Sequence, residues 1–258
     1  MNDIRWCIDY LKAYNNIYQN IALPDNQAFR KLMNITMPID LSNEFYRLQD
    51  KVLQKQLKEK TITDVDDLIP IDENIYLWQG DITTIKADGI VNACNSKLLG
   101  CFQPLHHCID NAIHSFAGLQ VRRDLIKIMK EQGHDEENGN AKITSAYNLP
   151  SKYILHTVGP ITNGNPSKKD KEDLKNCYLS CMKLADEQNL KSIVFCSIST
   201  GLYGYPIQNA SRVAVKTIQE YLKSNLNTSI QKVVFNTFTR SDYYVYYRTC
   251  LLYTSDAA

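Results

Sequence analysis

The run Cys101-Phe102-Gln103-Pro104-Leu105-His106-His107-Cys108 places two thiols and two imidazoles within reach of a single centre. Thiolate and imidazole are the ligands zinc prefers, and a set of three leaves the fourth tetrahedral position open, as catalytic zinc requires. Pro104 favours a loop that folds Cys101 back toward the others. His106 and Cys108 are two apart, so in an extended stretch they point the same way, whereas His107 points elsewhere. Cys101, His106 and Cys108 are therefore the preferred ligands. A lone Cys or His is usually a core or surface residue, but three so close together, after an Asn-rich strand end and before a helix, favour a metal. A purely structural zinc would call for a fourth protein ligand, for which the local sequence offers only His107 or Cys94.

Three further segments carry candidate chemistry. In QGDITTIKADGIVNACN one strand ends at Gly80-Asp81 and the next at Asn92-Ala93-Cys94-Asn95. A carboxylate there can accept a hydrogen bond from an exocyclic amine, and carboxamides suit sugar hydroxyls because they both donate and accept. Asp81 would equally serve as a turn or helix cap. The segment Ser197 to Pro206 lies between a strand and a helix and holds Gly201 and Gly204, which let backbone amides approach a diphosphate at a helix N-terminus. It is neither a P-loop nor a G-x-G-x-x-G fingerprint. Tyr203 could wall off a sugar or simply pack. Phe235-Asn236-Thr237-Phe238 is either the far wall of a pocket or an ordinary buried strand end.

Positioning these residues requires an alternation of strands and helices. NIYLWQG, DGIVNAC, AKITSAYN, KYILHTV, KSIVFCSI and KVVFNTF are Val-, Ile- and Tyr-rich runs that read as strands. CIDNAIHSFAGLQVRRDLIKIMKEQ, KKDKEDLKNCYLSCMKLADEQ and NASRVAVKTIQEYLKSN read as helices between them. The pattern predicts an α/β fold with a largely parallel or mixed sheet covered on both faces, binding ligands beyond the strand C-terminal ends. Residues 1–70 differ: helices are expected over 3–20, 25–35 and 41–60, with Ser42 as a cap and Pro24 and Pro38 as separators. This is read as a helical extension packed on a main domain spanning 71–250. The tail 251–258, LLYTSDAA, continues no pattern and reads as a scar.

Composition narrows the function classes. With 258 residues, 44% hydrophobic, 22% charged and a net charge of +1, the chain reads as soluble and globular. No stripe of Lys and Arg of the kind that binds nucleic acid is present. No apolar run approaches the roughly 20 residues of a membrane span, and the first residues lack the marks of a signal peptide. Eight cysteines in such a chain read as thiols and metal ligands, and the expected compartment is the cytoplasm. Cys177 and Cys181, four apart among Leu174, Tyr178 and Leu184, read as a core stripe.

The motifs GDIT, GIVNACN, GCFxPxHxCIDNAIH, ILHTVGP and SISTGLYGYP resemble the macrodomain family, and within it the zinc-containing protein-ADP-ribose hydrolases of microbes. The resemblance covers roughly residues 72 to 248, and a helical extension is typical of that branch. It implies a three-layer α/β/α macrodomain with a mixed central sheet. GDIT and NACN mark macrodomains in general; the Cys and His insertion before IDNAIH marks the zinc branch. Asp81 and the Ile82 backbone are implied to bind adenine, and Asn92 and Asn95 the distal ribose. Ser199, Thr200, Gly201, Leu202, Tyr203 and Gly204 are implied to cradle the diphosphate, with Tyr203 against the distal ribose. Asp110 matches the aspartate that orients or activates water, with Asn95 beside it as a second catalytic candidate, and Asn111 and His114 brace the start of the helix. One zinc ion on Cys101, His106 and Cys108 is the implied cofactor. The implied activity is removal of ADP-ribose from mono-ADP-ribosylated protein side chains, acidic ones above all. Its implied companions are a lipoyl-carrier protein like the glycine cleavage H protein and a sirtuin-type ADP-ribosyl transferase. Two other functions share the pocket: a non-catalytic ADP-ribose reader, and a hydrolase of a small ester such as O-acetyl-ADP-ribose.

Overall fold

The N-terminal segment forms three helices, α1 (Asp3–Tyr14), α2 (Asp25–Ile35) and α3 (Asn43–Lys58), in a computed structural model that describes residues 2–255. Ser42 caps α3, its side chain accepting from the Phe45 N–H. The three helices bury Leu11, Phe29, Leu32, Phe45 and Val52 in a core of their own, which reaches the rest of the chain through Leu119.

The remainder builds a seven-stranded sheet from β2 (Pro70–Asp72), β3 (Ile75–Gln79), β5 (Gly89–Cys94), β6 (Ala141–Ser145), β7 (Tyr153–Val158), β8 (Ser192–Phe195) and β9 (Lys232–Thr237). Its order is β2-β3-β9-β8-β5-β7-β6. The five inner strands run parallel, and the edge strands β2 and β6 pair antiparallel to them. The inner strands are buried almost throughout, as their continuous Val and Ile runs require. Helices α4 (Ile109–Ala117), α5 (Leu119–Gln132), α6 (Lys168–Glu187), α7 (Ile207–Ser224) and α8 (Arg240–Ser255) cover the sheet. Cys177 and Cys181 are fully buried on α6, in the core. A two-stranded parallel pair, β1 (Thr63–Asp64) with β4 (Ile85–Lys86), ties the segment after α3 to the body.

Four sequence expectations need correction. The helix expected over 3–20 ends at Tyr14, with Asn15 as its C-cap. The helix expected from Cys108 through Gln132 is two helices, α4 and α5, broken at Gly118. Gly118 has φ +106°, and a Cβ there would lie 2.6 Å from Gln120 Oε1 and 2.8 Å from Gln49 Nε2. Only glycine fits this turn. The short strands β1, β2 and β4 were not foreseen, because two or three residues carry no periodicity. The last helix runs on to Ser255, through the start of the segment read as a tail; residues 256–258 of that segment lie outside the described residues. No helix among the described residues is long and apolar enough to cross a membrane.

Candidate active site

Because β3, β5, β7, β8 and β9 point the same way, their C-terminal ends share one edge of the sheet. That edge gathers Gly80-Asp81, Asn95, Gly159, the loop Ser197 to Gly204 and Phe238. Asp81 caps a single 3-10 turn, Ile82–Thr84, accepting from the Thr83 N–H (2.9 Å) and Thr83 Oγ1 (2.6 Å). Its other oxygen lies 3.7 Å from Lys60 Nζ, so the helical extension reaches this corner. Asn236 donates to the Gly80 carbonyl (3.0 Å) and braces the corner from β9, while Phe238 is 78% exposed at the rim.

Across the edge, the loop after β8 turns on Ser199, whose φ of +64° is uncommon for a residue with a side chain. The Ser199 hydroxyl is buried and without a partner. Thr200 Oγ1 donates to the Ser197 carbonyl, and the Tyr203 and Gly204 carbonyls accept from Thr162 and Gly164. The loop is thus held from behind, while Gly201 and Leu202 stay exposed. Burial raises the pKa of the half-buried Tyr203 phenol, and nearby Asp110 adds to the rise.

Cys101, His106 and Cys108 bring their ligand atoms within 4.8 Å of one another. Cys101 Sγ and His106 Nδ1 are 3.7 Å apart. Tetrahedral zinc, with bonds of about 2.3 Å to sulfur and 2.0 Å to nitrogen, sets an S···N edge of about 3.5 Å and an S···S edge of about 3.8 Å. The donor set and its spacing fit such an ion. Cys94 is no fourth ligand, since its thiol is buried and donates to the Thr157 carbonyl (3.2 Å). His107 lies on the wall of a separate cleft of about 590 Å³ toward the helical extension. Burial raises the Cys108 thiol pKa, and the Asn111 N–H on its sulfur offsets part of that rise. Gly100, at φ +85°, lets the loop pass the His114 ring, which a Cβ would meet at 2.9 Å.

Asp110 lies in the first turn of α4, 5% exposed, and accepts from Asn92 Nδ2 (2.8 Å). Burial pushes its carboxyl up to about 6, against the lowering effect of the Asn92 amide and the Arg122 guanidinium. The same Asn92 amide group lies 3.2 Å from His156 Nδ1, and His156 Nε2 lies 2.9 Å from Thr144 Oγ1. Asn92 is fully buried, and its carbonyl oxygen has no partner. His114 Nε2 approaches Asp110 to 3.4 Å, but without the direction of a hydrogen bond. Burial, then the charge of Arg122, holds the His114 pKa well below the usual histidine range, so the ring is neutral.

The Macro domain family matches residues 91–214. The chain is 46% identical over 248 residues to a protein-ADP-ribose hydrolase of Treponema medium, covering 93% of this chain and 94% of that one. It is 50% identical over 250 residues to a protein-ADP-ribose hydrolase of Staphylococcus aureus, covering 94% and 93%. The chain belongs to the macrodomain family. Among solved structures, an Oceanobacillus iheyensis macrodomain with ADP aligns at a TM-score of 0.64 and 36% identity, over 74% of this chain and 97% of that one. A Trypanosoma brucei macrodomain in complex with ADP-ribose aligns at 0.65 and 28% identity, over 85% and 94%.

Within this macrodomain the sequence-selected residues fall at one edge of the sheet, but they are not equally accessible. Asp81, Asn95, Tyr203 and Gly201 are at least partly exposed, whereas Asn92 has no exposed surface. Sequence reasoning missed Arg30, Asn34 and Arg122. Arg122 is 1% exposed and donates to the carbonyls of Leu99, Met33, Asn34 and Thr36. No local spacing could reveal it, because its α2 partners lie more than 80 positions away.

Proposed function

We propose that this macrodomain is a zinc-dependent hydrolase that removes ADP-ribose from mono-ADP-ribosylated protein side chains, acidic ones in particular, in the cytoplasm. The observation that carries the reading is the grouping of Cys101, His106 and Cys108 just ahead of the buried Asp110, at the start of the helix that follows a macrodomain strand end. Relatives of near-equal length named protein-ADP-ribose hydrolase support the same activity. Neighbours of the same fold solved with ADP and with ADP-ribose support the ligand.

In this reading Asp81 receives the adenine amine, assisted by the Ile82 backbone. Ser199, Thr200, Gly201, Leu202, Tyr203 and Gly204 cradle the diphosphate with backbone N–H groups. Asn95 and Tyr203 hold the distal ribose, and Asn92 acts from beneath by fixing the Asp110 carboxylate. Asp110 orients the attacking water or accepts its proton. The bond between the anomeric carbon and the side-chain oxygen breaks, giving free ADP-ribose and a restored carboxylate. Cys101, His106 and Cys108 would hold a zinc ion, which would supply a Lewis acid at this end of the site. A lipoyl-carrier protein of the glycine cleavage H type is the candidate substrate, and a sirtuin-type ADP-ribosyl transferase the enzyme it opposes.

The reading is tested by turnover on three substrates: a protein modified on acidic side chains, one modified on arginine, and O-acetyl-ADP-ribose. Release from the acidic-modified protein, with none from the arginine-modified one, is expected. Tight binding of ADP-ribose without release from any of them would make the protein a reader instead.

A further inference from the structure

The metal loop takes much of its support from the helical extension. Arg30 of α2 donates through Nη2 to the His106 carbonyl (3.2 Å), and through Nη2 and Nε to Asn111 Oδ1 (2.9 and 3.3 Å). Asn34, one turn further along α2 and 1% exposed, accepts the Leu105 N–H on Oδ1 (2.9 Å) and donates to Ser115 Oγ (2.9 Å). Leu105 has φ +57°, a left-handed conformation that a branched side chain adopts only when held there. Asn111, fully buried, completes the scaffold: its amide donates to the carbonyls of Cys101 (3.4 Å) and Gln103 (3.0 Å), and its N–H to Cys108 Sγ (3.4 Å).

Besides a turn bond from the His106 N–H to the Gln103 carbonyl and the Arg122 guanidinium over the Phe102 ring (4.2 Å), the hydrogen bonds that hold the loop between the first and last ligands come, among the described residues, from these three side chains. Two of the three stand on a helix more than 70 positions away. Groups behind a metal's ligands set ligand direction, and their loss typically weakens binding by about 10- to 100-fold. With its carbonyl held by Arg30, His106 has its ring Nδ1 3.7 Å from Cys101 Sγ, while His107 lies on the cleft wall.

We propose that Arg30 and Asn34 are positioning residues for the metal site, so that the helical extension sets the affinity for zinc. The inference rests on the zinc reading given under Proposed function. It assigns α2 a role in the chemistry in addition to packing, exerted through the backbone of residues 105 and 106.

Zinc affinity, read by competition with a chromogenic chelator, tests it on the full chain for Arg30→Gln, Arg30→Lys and Asn34→Ala. Arg5→Gln is the control, since Arg5 is exposed and pairs with Asp25 at the other end of α2. Thermal melting and ADP-ribose calorimetry establish that each variant is folded. The expected result is a zinc Kd raised about 10- to 100-fold in the first three and unchanged in the control. The thiolate-to-cobalt charge-transfer bands of the cobalt-substituted protein should shift in parallel. Arg30→Lys keeps the charge and most of the stem, so it tests the same contacts if Arg30→Gln fails to fold. Folded variants that hold zinc with the Kd and cobalt spectrum of the unaltered protein would overturn the inference and leave the zinc reading standing. Failure of the unaltered protein to bind zinc would overturn both.

Discussion

Asp110, Asn92 and His156 form a chain in which one buried amide serves two neighbours. The Asn92 Nδ2 group has two hydrogens, one for Asp110 Oδ1 and one for His156 Nδ1. His156 therefore accepts on Nδ1 and donates from Nε2 to Thr144, which defines one neutral tautomer. Burial pushes the His156 pKa down to about 3, from about 6.5 in the unfolded chain. The unfolded chain takes the proton first. The stability His156 contributes is thus full above about pH 6.5 and is lost as pH falls toward 3, with about 2 kcal/mol gone at pH 5. Urea unfolding at pH 8 and pH 5 should show His156→Gln losing about 2 kcal/mol less than the unaltered protein. Equal losses in the two proteins would mean that His156 is protonated in the folded state at pH 5.

The elements explain why the metal loop sits where it does. Helix α4 starts on a Cys108 cap and ends at Gly118, after nine residues, so it can lean on α2 while α5 turns away. Gly118→Ala should cost about 2 kcal/mol, because the side chain needs a positive φ and meets Gln49 and Gln120. Thermal denaturation checks this, and an unchanged melting temperature would mean that the turn relaxes. The break was not legible in sequence, since the apolar spacing on its two sides is helical throughout and one glycine inside a helix is tolerated. The six longer strands were legible from their Val- and Ile-rich runs, and the grouping of Cys101, His106 and Cys108 from their closeness in sequence. Arg30, Asn34 and Arg122 were not, because what joins them to the loop is folding and not spacing.

In the whole molecule the extension and the body both reach the candidate site. The body supplies the strand ends; the extension supplies Arg30 and Asn34 to the 101–108 loop and Lys60 to Asp81. Arg122 joins the two halves, reaching from α5 to three carbonyls at the end of α2 and to one in the approach to the metal loop. In the proposed function this molecule hydrolyses an ADP-ribosyl bond with the help of a metal held by Cys101, His106 and Cys108. The most direct measurement is zinc content together with ADP-ribose release from an acidic-modified protein, for the unaltered chain and for Cys101→Ala. One zinc per unaltered chain is expected, and in the variant loss of zinc with release slowed by about 100-fold or more. A Cys101→Ala protein that keeps both its zinc and its full rate of release would contradict the proposed function.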